Sequence, residues 1–430
     1  MKLHSPERLT RVLKDLIADE LSRLRHIDPV SILRELHDDQ RLGPDGFGMD
    51  SFEFVTVSAA VARMFHIYDL GAEDYLLARP TVAGWRDLIL ELADQDTGPE
   101  TAGPARLITF LSSGSTGERR PVEHARTFLI EEMQFFRELL GDPARIFVTV
   151  PTHHIYGYLF GALLPDLYSG LDTDDASAPA RPVLFIRGSA LSRPRSAYER
   201  SGAPVPAAGD LLIAFPDALW KLLDSGVLPS PGLTVVTSTA PCPPDIASRI
   251  RDGGSRLVEV YGSSETAGIG YRDTDGGAYE LLPYWDREGE VLRRHATTAA
   301  GSAEAIDATP PDELQWNDER HFLPIRRRDG AVVVGGTNVF PGRVEAAIRE
   351  VPGVADAAVR LYQAPDGARL KAFVVPAGIA GDTSEAPDLE TLESTIRSML
   401  SGTLQSPEQP AVYTFGAALP RNSMGKLTDF

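Results

Sequence analysis

Apolar residues at Leu9, Val12, Leu13, Leu16, Ile17, Leu21 and Leu24 recur at three- and four-residue steps, the repeat that lays one stripe along a helix. After a turn-forming run of Gly43, Pro44, Asp45 and Gly46, Asp50 and Ser51 precede a second stripe of Phe52, Val55, Ala59 and Met64. Asp and Ser side chains accept hydrogen bonds from the open N–H groups of a first helical turn, so this pair predicts a helix start. A third segment, 81–92, closes a small all-helical unit over residues 1–92. Residues 93–106, ADQDTGPETAGPAR, carry no apolar period and read as a linker with a random-coil span of roughly 20 Å.

Beyond residue 106 the period changes. Apolar runs at 107–111, 146–150, 233–237 and 257–261 predict buried strands, and 131–140 predicts an amphipathic helix, the alternation of an α/β layered domain. Loops that follow such strands are where open α/β sheets hold ligands. Towards the C-terminus, VEAAIREVPGVADAAVRLYQAPDGARLKAFVVP sets one helix before two strands, as in a compact α/β lid. The Ala/Asp/Ser/Thr-rich stretches 172–182 and 294–309 predict surface insertions, and no internal repeat is present.

With 430 residues, 43% of them hydrophobic, the chain can bury more than one core. Its net charge of -19 repels nucleic-acid backbones and anionic membrane surfaces, so neither is expected as the main partner. One cysteine, Cys242, allows neither an intrachain disulfide nor a cysteine metal cluster, which fits a reducing cytoplasm. The best membrane-span candidate, 211–223, is broken by Pro216, Asp217 and Lys221, and the opening MKLHSPERLT has no apolar signal core.

Candidate chemistry starts with FLSSGSTGERR. Gly114 and Gly117 among Ser112, Ser113, Ser115 and Thr116 allow left-handed turns that aim successive N–H groups into one concavity, suited to a polyphosphate. A Ser/Gly cluster alone is more often a solvated loop, and no Lys-Ser/Thr pair makes this a Walker loop. For the isolated His153-His154 pair a hydrogen-bonded structural role is the default, since no third ligand suggests a metal.

Taken together, the loops resemble the adenylate-forming superfamily of acyl-CoA synthetases, firefly luciferase and nonribosomal peptide adenylation domains. FLSSGSTGERRPVEH resembles its phosphate loop, VPTHHIYG its histidine motif, STAPCPPD its adenine-side loop and VYGSSETAGI its Tyr-Gly-x-Thr-Glu motif. RRRDGAVVVGGTNVFPGRVE resembles the hinge and LPRNSMGK the terminal lysine motif, all in the family's order from about residue 107 to the end.

The resemblance implies an α/β adenylating fold: a core over 107–328 and a mobile C-terminal lid over 329–430, hinged at Asp329. It implies a carboxylate attacking the α-phosphate of ATP and a thiol then displacing AMP. In the matching positions, Lys426 would bridge the α-phosphate and the substrate carboxylate, and Glu265 would bind Mg²⁺. His154 would line the acyl and thiol entrance, and Tyr261 would stack on adenine with Ala240 and Pro241 across from it. Gly262, Ser263, Ser264 and Arg120 would complete the nucleotide contacts. Asp312, fifteen positions before Arg327, takes the ribose-binding place by spacing.

The Gly-x-Asp-Ser turn before an acidic helix also resembles acyl carrier proteins, whose matching serine, here Ser51, carries 4′-phosphopantetheine. This sequence departs from the adenylating pattern in three places. Arg119-Arg120 replace Pro-Lys, Arg326 replaces a glycine, and the usual α/β subdomain ahead of the phosphate loop is missing, which truncates the large domain and leaves 120–290 or a partner subunit to form the acyl pocket. The expected activity is activation of a small aryl acid, hydroxybenzoate-like as in aryl polyene or xanthomonadin-type pathways, or of an acyl acid, with transfer to CoA or an acyl carrier protein. The alternative is a non-catalytic docking or regulatory protein of an assembly line. Oligomeric state stays open at this stage.

Overall fold

The computed structural model describes residues 4–95, 103–104, 106–113, 119–170, 181–274, 276–297, 303–364, 367–377, 388–421 and 427–430. They fall into two compact units: one of 1–112, 120–310 and 314–323, the other of 113–119, 311–313 and 324–430.

Five helices open the first unit: α1 (Pro6–Arg25), α2 (Pro29–Glu35), α3 (Ser51–Met64), α4 (Glu73–Ala78) and α5 (Val82–Gln95). The α1 stripe is buried from Leu9 to Leu21, as its period demands, and α3 starts at the expected place, though Phe52 and Val55 of its expected stripe are exposed. There Asp50 caps the Glu53 N–H while Glu53 caps Asp50, a reciprocal box that leaves the Ser51 side chain exposed at the first helical position.

These helices do not stand apart as a tethered carrier. The polar face of α1 is buried too: Arg8, Thr10, Asp15 and Glu20 are all inaccessible. Asp15 pairs with Arg187 and, at 3.1 Å, with Arg11, and the ring nitrogens of His4 lie 2.6 Å from Asp166 and from the Tyr158 hydroxyl. His66, between α3 and α4, meets the Thr109 hydroxyl at 2.9 Å. The helices therefore share one hydrophobic core with the α/β part, and the expected division at 93–106 is replaced by a single unit; most of that segment lies outside the described residues.

The hairpin β1 (Leu107–Ser113) and β2 (Arg119–Ala125) leads into α6 (Arg126–Leu140). The main sheet follows: β3 (Ile146–Val148), β4 (Val183–Phe185), β5 (Leu211–Ala214), β6 (Thr234–Thr237) and β7 (Arg256–Ser263) pair in parallel in the order β7-β6-β5-β3-β4. Antiparallel β8 (Ala267–Arg272) and β9 (Tyr279–Leu281) extend it beyond β7.

Both faces of the sheet are covered, which is why its strands read as continuous apolar runs rather than alternating ones. Ile146, Val148, Leu211, Ile213 and Val236 enter the core shared with α1 and α6. It also takes in α7 (Ile155–Tyr158), a π-helical turn at Leu159–Leu163 and α8 (Leu164–Tyr168). Their neighbours Phe147, Leu212, Ala214 and Val235 face the opposite core, formed with α9 (Arg195–Ser201), α10 (Pro216–Asp224) and α11 (Pro244–Asp252).

Residues 294–309 are not the insertion expected. They belong largely to β11 (Val291–Thr297) and β12 (Ala303–Ala308), paired from Leu292↔Ala308 to Thr297↔Ala303 beside β10 (Trp285–Glu288). Arg294 is buried there, stacked 3.8 Å from the Tyr284 ring centre and 2.9 Å from Glu131. Of the other expected insertion, 171–180 lie outside the described residues.

The chain passes β13 (Asp312–Trp316) and β14 (His321–Arg327) before the rest of the second unit. That unit packs α12 (Pro341–Arg349) and α13 (Leu389–Ser401) on β17 (Val354–Ala364), β18 (Gly367–Pro376) and β19 (Val412–Phe415), after a small hairpin of β15 (Val332–Val334) and β16 (Thr337–Val339). Among the described residues no helix is long and apolar enough to cross a membrane.

Candidate active site

At the carboxyl end of β7 the motif Tyr261-Gly-Ser-Ser-Glu forms a hairpin with β8 rather than a loose loop, with Ser263 opposite Ala267. Its tightness is built in. A side chain at Gly262 would meet the Ala267 carbonyl at 2.1 Å, and Ala267 itself takes a left-handed φ of 57°. The Ser263 hydroxyl accepts the Glu265 N–H at 3.2 Å and touches Thr266 at 3.0 Å. Glu265 is left with its side chain exposed.

His124 on β2 donates Nε2–H to the Ser264 carbonyl at 2.7 Å. Burial lowers its pKa, so the ring is held neutral in the tautomer this bond requires. One strand flanking the expected phosphate loop is thus fastened to the hairpin that carries Glu265. Of that loop, Ser112 is buried and its hydroxyl reaches the Arg120 carbonyl at 3.5 Å, while the Arg120 side chain is exposed. Ser113 ends β1; Gly114, Ser115, Thr116 and Gly117 lie outside the described residues.

Beneath the hairpin, Glu132 of α6 is fully buried and accepts the Gly268 N–H at 3.0 Å. Burial pushes its carboxyl up to about 7, against the pull of Arg294 at 3.9 Å. Tyr261 packs 5.6 Å from Tyr279 and 5.3 Å from Phe322, ring centre to ring centre. The loop after β6 bears Ala240 and Pro241, and is tied to the same strand by Ser238, which donates to the Val260 carbonyl at 2.8 Å. Cys242 is buried, and burial with the Glu259 charge pushes its thiol up to about 12, which suits a packing role.

After β3 the histidine motif is held by the N-terminal helix. Asp15 accepts both the N–H and the hydroxyl of Thr152 at 2.7 Å, and Arg187, which binds Asp15 from a second side, also donates to the Val150 carbonyl at 2.7 Å. His153 is buried; His154 stands just ahead of α7, at its N-cap, and is exposed. The walls around this motif are therefore not limited to 120–290, because α1 supplies one of them.

In the second unit Arg327 and Asp329 form a two-bonded pair at 3.0 and 2.6 Å. Burial would raise the Asp329 pKa, but the Arg327 bonds and the Ala331 N–H hold it below the usual carboxylate value. Asp312 begins β13, its carbonyl accepting from Arg328 at 3.3 Å. Lys426 lies outside the described residues; on either side of 422–426, the Thr428 N–H meets the Pro420 carbonyl at 2.9 Å.

Asp15, Thr152, His124 and Glu132 escape sequence reasoning because their partners lie far along the chain. Only His124 carried a signal, being placed two alternating positions beyond Arg120 on a strand.

Residues 343–426 match the C-terminal domain of AMP-binding enzymes. A 4-coumarate–CoA ligase of Halorhodospira halophila is 33% identical over 98% of both chains. One of Rhodobacter capsulatus is 35% identical over 98% of this chain and 99% of its own. These relatives stand where aryl polyene or xanthomonadin-type ligases were expected. They match this chain along nearly its whole length, so the stretch that forms the N-terminal helices lies within the match. The fold is also that of an amide bond synthetase from Marinactinospora thermotolerans, with a TM-score of 0.55 and 18% identity over 97% of this chain and 92% of that one. The chain belongs to the AMP-binding, adenylate-forming family of acid–CoA ligases.

Proposed function

We propose that this protein activates a 4-coumarate-like hydroxycinnamic acid with ATP and Mg²⁺ and transfers it to coenzyme A. The observation that carries the reading is that two relatives named 4-coumarate–CoA ligase share a third of their residues with this chain along nearly its whole length. On this reading a phenylpropenoic acid takes the place of the hydroxybenzoate-like acid expected from the likeness to aryl polyene or xanthomonadin-type ligases. In the first step the acid's carboxylate oxygen bonds to the α-phosphorus of ATP and pyrophosphate leaves. In the second, the thiolate sulfur of coenzyme A bonds to the acyl carbon and AMP leaves.

Within this reading Lys426 supplies the cation that offsets charge building at the α-phosphorus, and Arg120 a guanidinium near the phosphate loop. Glu265, an exposed carboxylate on a braced hairpin, offers the hard oxygen that Mg²⁺ prefers. Tyr261 with Ala240 and Pro241 receives adenine, Gly262, Ser263 and Ser264 shape that side, and Asp312 with Arg327 takes the ribose. Asp329 is the hinge of the C-terminal unit. His154 lines the thiol entrance. Ser51 of this chain is not the acceptor on this reading, because the helices bearing it share the main core, and coenzyme A is taken as acceptor from the relatives' naming.

The test is a panel of 4-coumarate, 4-hydroxybenzoate and octanoate with ATP and Mg²⁺, scored for pyrophosphate release and for coenzyme A thioester by mass. Turnover of 4-coumarate at least tenfold above the other two is expected; equal or greater turnover of either competitor would replace the substrate class.

A further inference from the structure

Asp15 and Asp19 stand one helical turn apart on α1, so their side chains leave the same face. Asp15 clamps Thr152, and the next residue along, His153, is brought to Asp19, with 3.7 Å between Nε2 and Oδ2. His153 is 8% exposed, and both its ring nitrogens are buried without a hydrogen-bond partner. A buried polar atom left unpaired costs on the order of 1–3 kcal/mol, so two on one ring call for a cause other than packing. The ring of His154 lies 4.0 Å from that of His153, and one ligand atom each from Asp19, His153 and His154 lie within 4.8 Å of one another.

We propose that Asp19, His153 and His154 form a Zn²⁺ site. Ligand atoms about 2.0–2.1 Å from a tetrahedral zinc ion are separated by roughly 3.3 Å. The 3.7 Å between His153 and Asp19 is already close to that, and the exposed His154 can supply the remaining adjustment by rotation. Two imidazole nitrogens and one carboxylate oxygen suit a borderline first-row divalent ion and not Mg²⁺, which prefers an all-oxygen shell. Three protein ligands leave the fourth position to water. Thr152, gripped by Asp15 on one side of His153, fixes the backbone so that the ligand set is arranged before the ion arrives. The site is separate from the Mg²⁺ expected at Glu265 and does not draw on the choice of acid.

Calorimetric titration of the chelator-treated full-length protein with ZnCl₂, in excess MgCl₂ and without nucleotide, tests the site. One Zn²⁺ per chain is expected, with a Kd on the order of 1 μM or tighter. Binding should weaken at least tenfold in Asp19→Asn and in His153→Ala, with metal-free thermal midpoints reporting whether each variant folds. Co²⁺ added to the wild type should give the strong visible bands of a four-coordinate ion, bleached by Zn²⁺, a readout needing no variant. Absence of binding to the wild type, affinity unchanged in both variants, or only the weak spectrum of six-coordinate Co²⁺ would overturn the proposal.

Discussion

Two arginine–aspartate pairs of similar geometry do different work in this molecule. Asp15 and Arg187 meet with 1% and 11% of their side chains exposed, whereas Arg327 and Asp329 keep 21% and 29%. In the first pair, burial would raise the Asp15 pKa, but Arg187 and Arg11 hold it well below the carboxylate range, with the Thr152 hydroxyl adding to them. Removing one partner would strand a charge out of water, at a cost of about 3–5 kcal/mol. The second pair is wetter and worth about 1 kcal/mol or less, so it can open and re-form at ordinary temperature. The deep pair therefore serves as an anchor for the histidine motif, while the shallow one suits a place where the chain has to turn.

The sharpest way to break that contrast is Asp15→Ala. We expect a loss of about 3–5 kcal/mol in stability, read from denaturant midpoints, with a larger proportional fall for the acid–CoA reaction than for expression level. A loss under about 1 kcal/mol would place both pairs in the same class. The complementary case is a group whose loss costs rate and not stability. Lys426→Ala should slow pyrophosphate release by roughly 10²-fold, about 2.7 kcal/mol in the barrier, with an unchanged thermal midpoint. An unchanged rate would take that lysine out of the adenylation step.

Glu132 sharpens the comparison from another side, since it is as buried as Asp15 but its nearest guanidinium, that of Arg294, is 3.9 Å away. Without a close cation, burial outweighs the Arg294 charge and the Gly268 N–H, and the folded pKa rises from 4.5 to about 7. A raised folded pKa means that the folded state binds the extra proton. The stability it contributes is fully present below about pH 4.5 and is lost as pH rises through about 7. Glu132→Gln removes this dependence, so the wild type should lose ground to the variant between pH 5 and pH 8 by on the order of 2 kcal/mol. Parallel stability curves for the two proteins would show that Glu132 is ionised in the folded state throughout.

The same physics explains which parts of the fold were legible in the sequence. Strands β3, β6 and β7 were readable because the sheet is buried on both faces and their runs are mostly apolar, whereas β5, equally buried, was not singled out as a strand. Asp15 and Asp19 sit on the polar side of a clean helical stripe and look like a solvated face; only their partners, more than a hundred residues away, reveal an interior. That is why the helices of 1–92 read as a separate unit, to which the Gly-x-Asp-Ser turn at Ser51 added the likeness to a carrier. Residues 294–309 misled for the converse reason: the paired strands there are built from small and polar residues, and the piece that fixes them is the buried arginine Arg294. In the candidate site, the motif order led to Tyr261, Glu265 and His154. Of their supports, His124 alone alternates in step with a motif residue, Arg120; Glu132 and Asp15 follow no local pattern, because a buried hydrogen bond between distant elements leaves no period in either one.

The smallest effect is expected at the shallow pair, and it carries the most discriminating outcome. Asp329→Asn keeps the shape of the side chain and one acceptor for the Arg327 fork and the Ala331 N–H, but removes the charge that the guanidinium holds. Denaturant midpoints should move by less than about 1 kcal/mol, as for any half-exposed pair. If the pair is opened and closed during turnover, easier opening should change the ratio of thioester formation to pyrophosphate release while leaving the fold unmoved. Both rates can be read from one reaction, by thioester mass and by phosphate assay. A shift in that ratio with stability intact would separate a moving part from an anchor. A loss of stability as large as that of Asp15→Ala, with the ratio unchanged, would mean that Arg327 and Asp329 hold the second unit together and turn nothing.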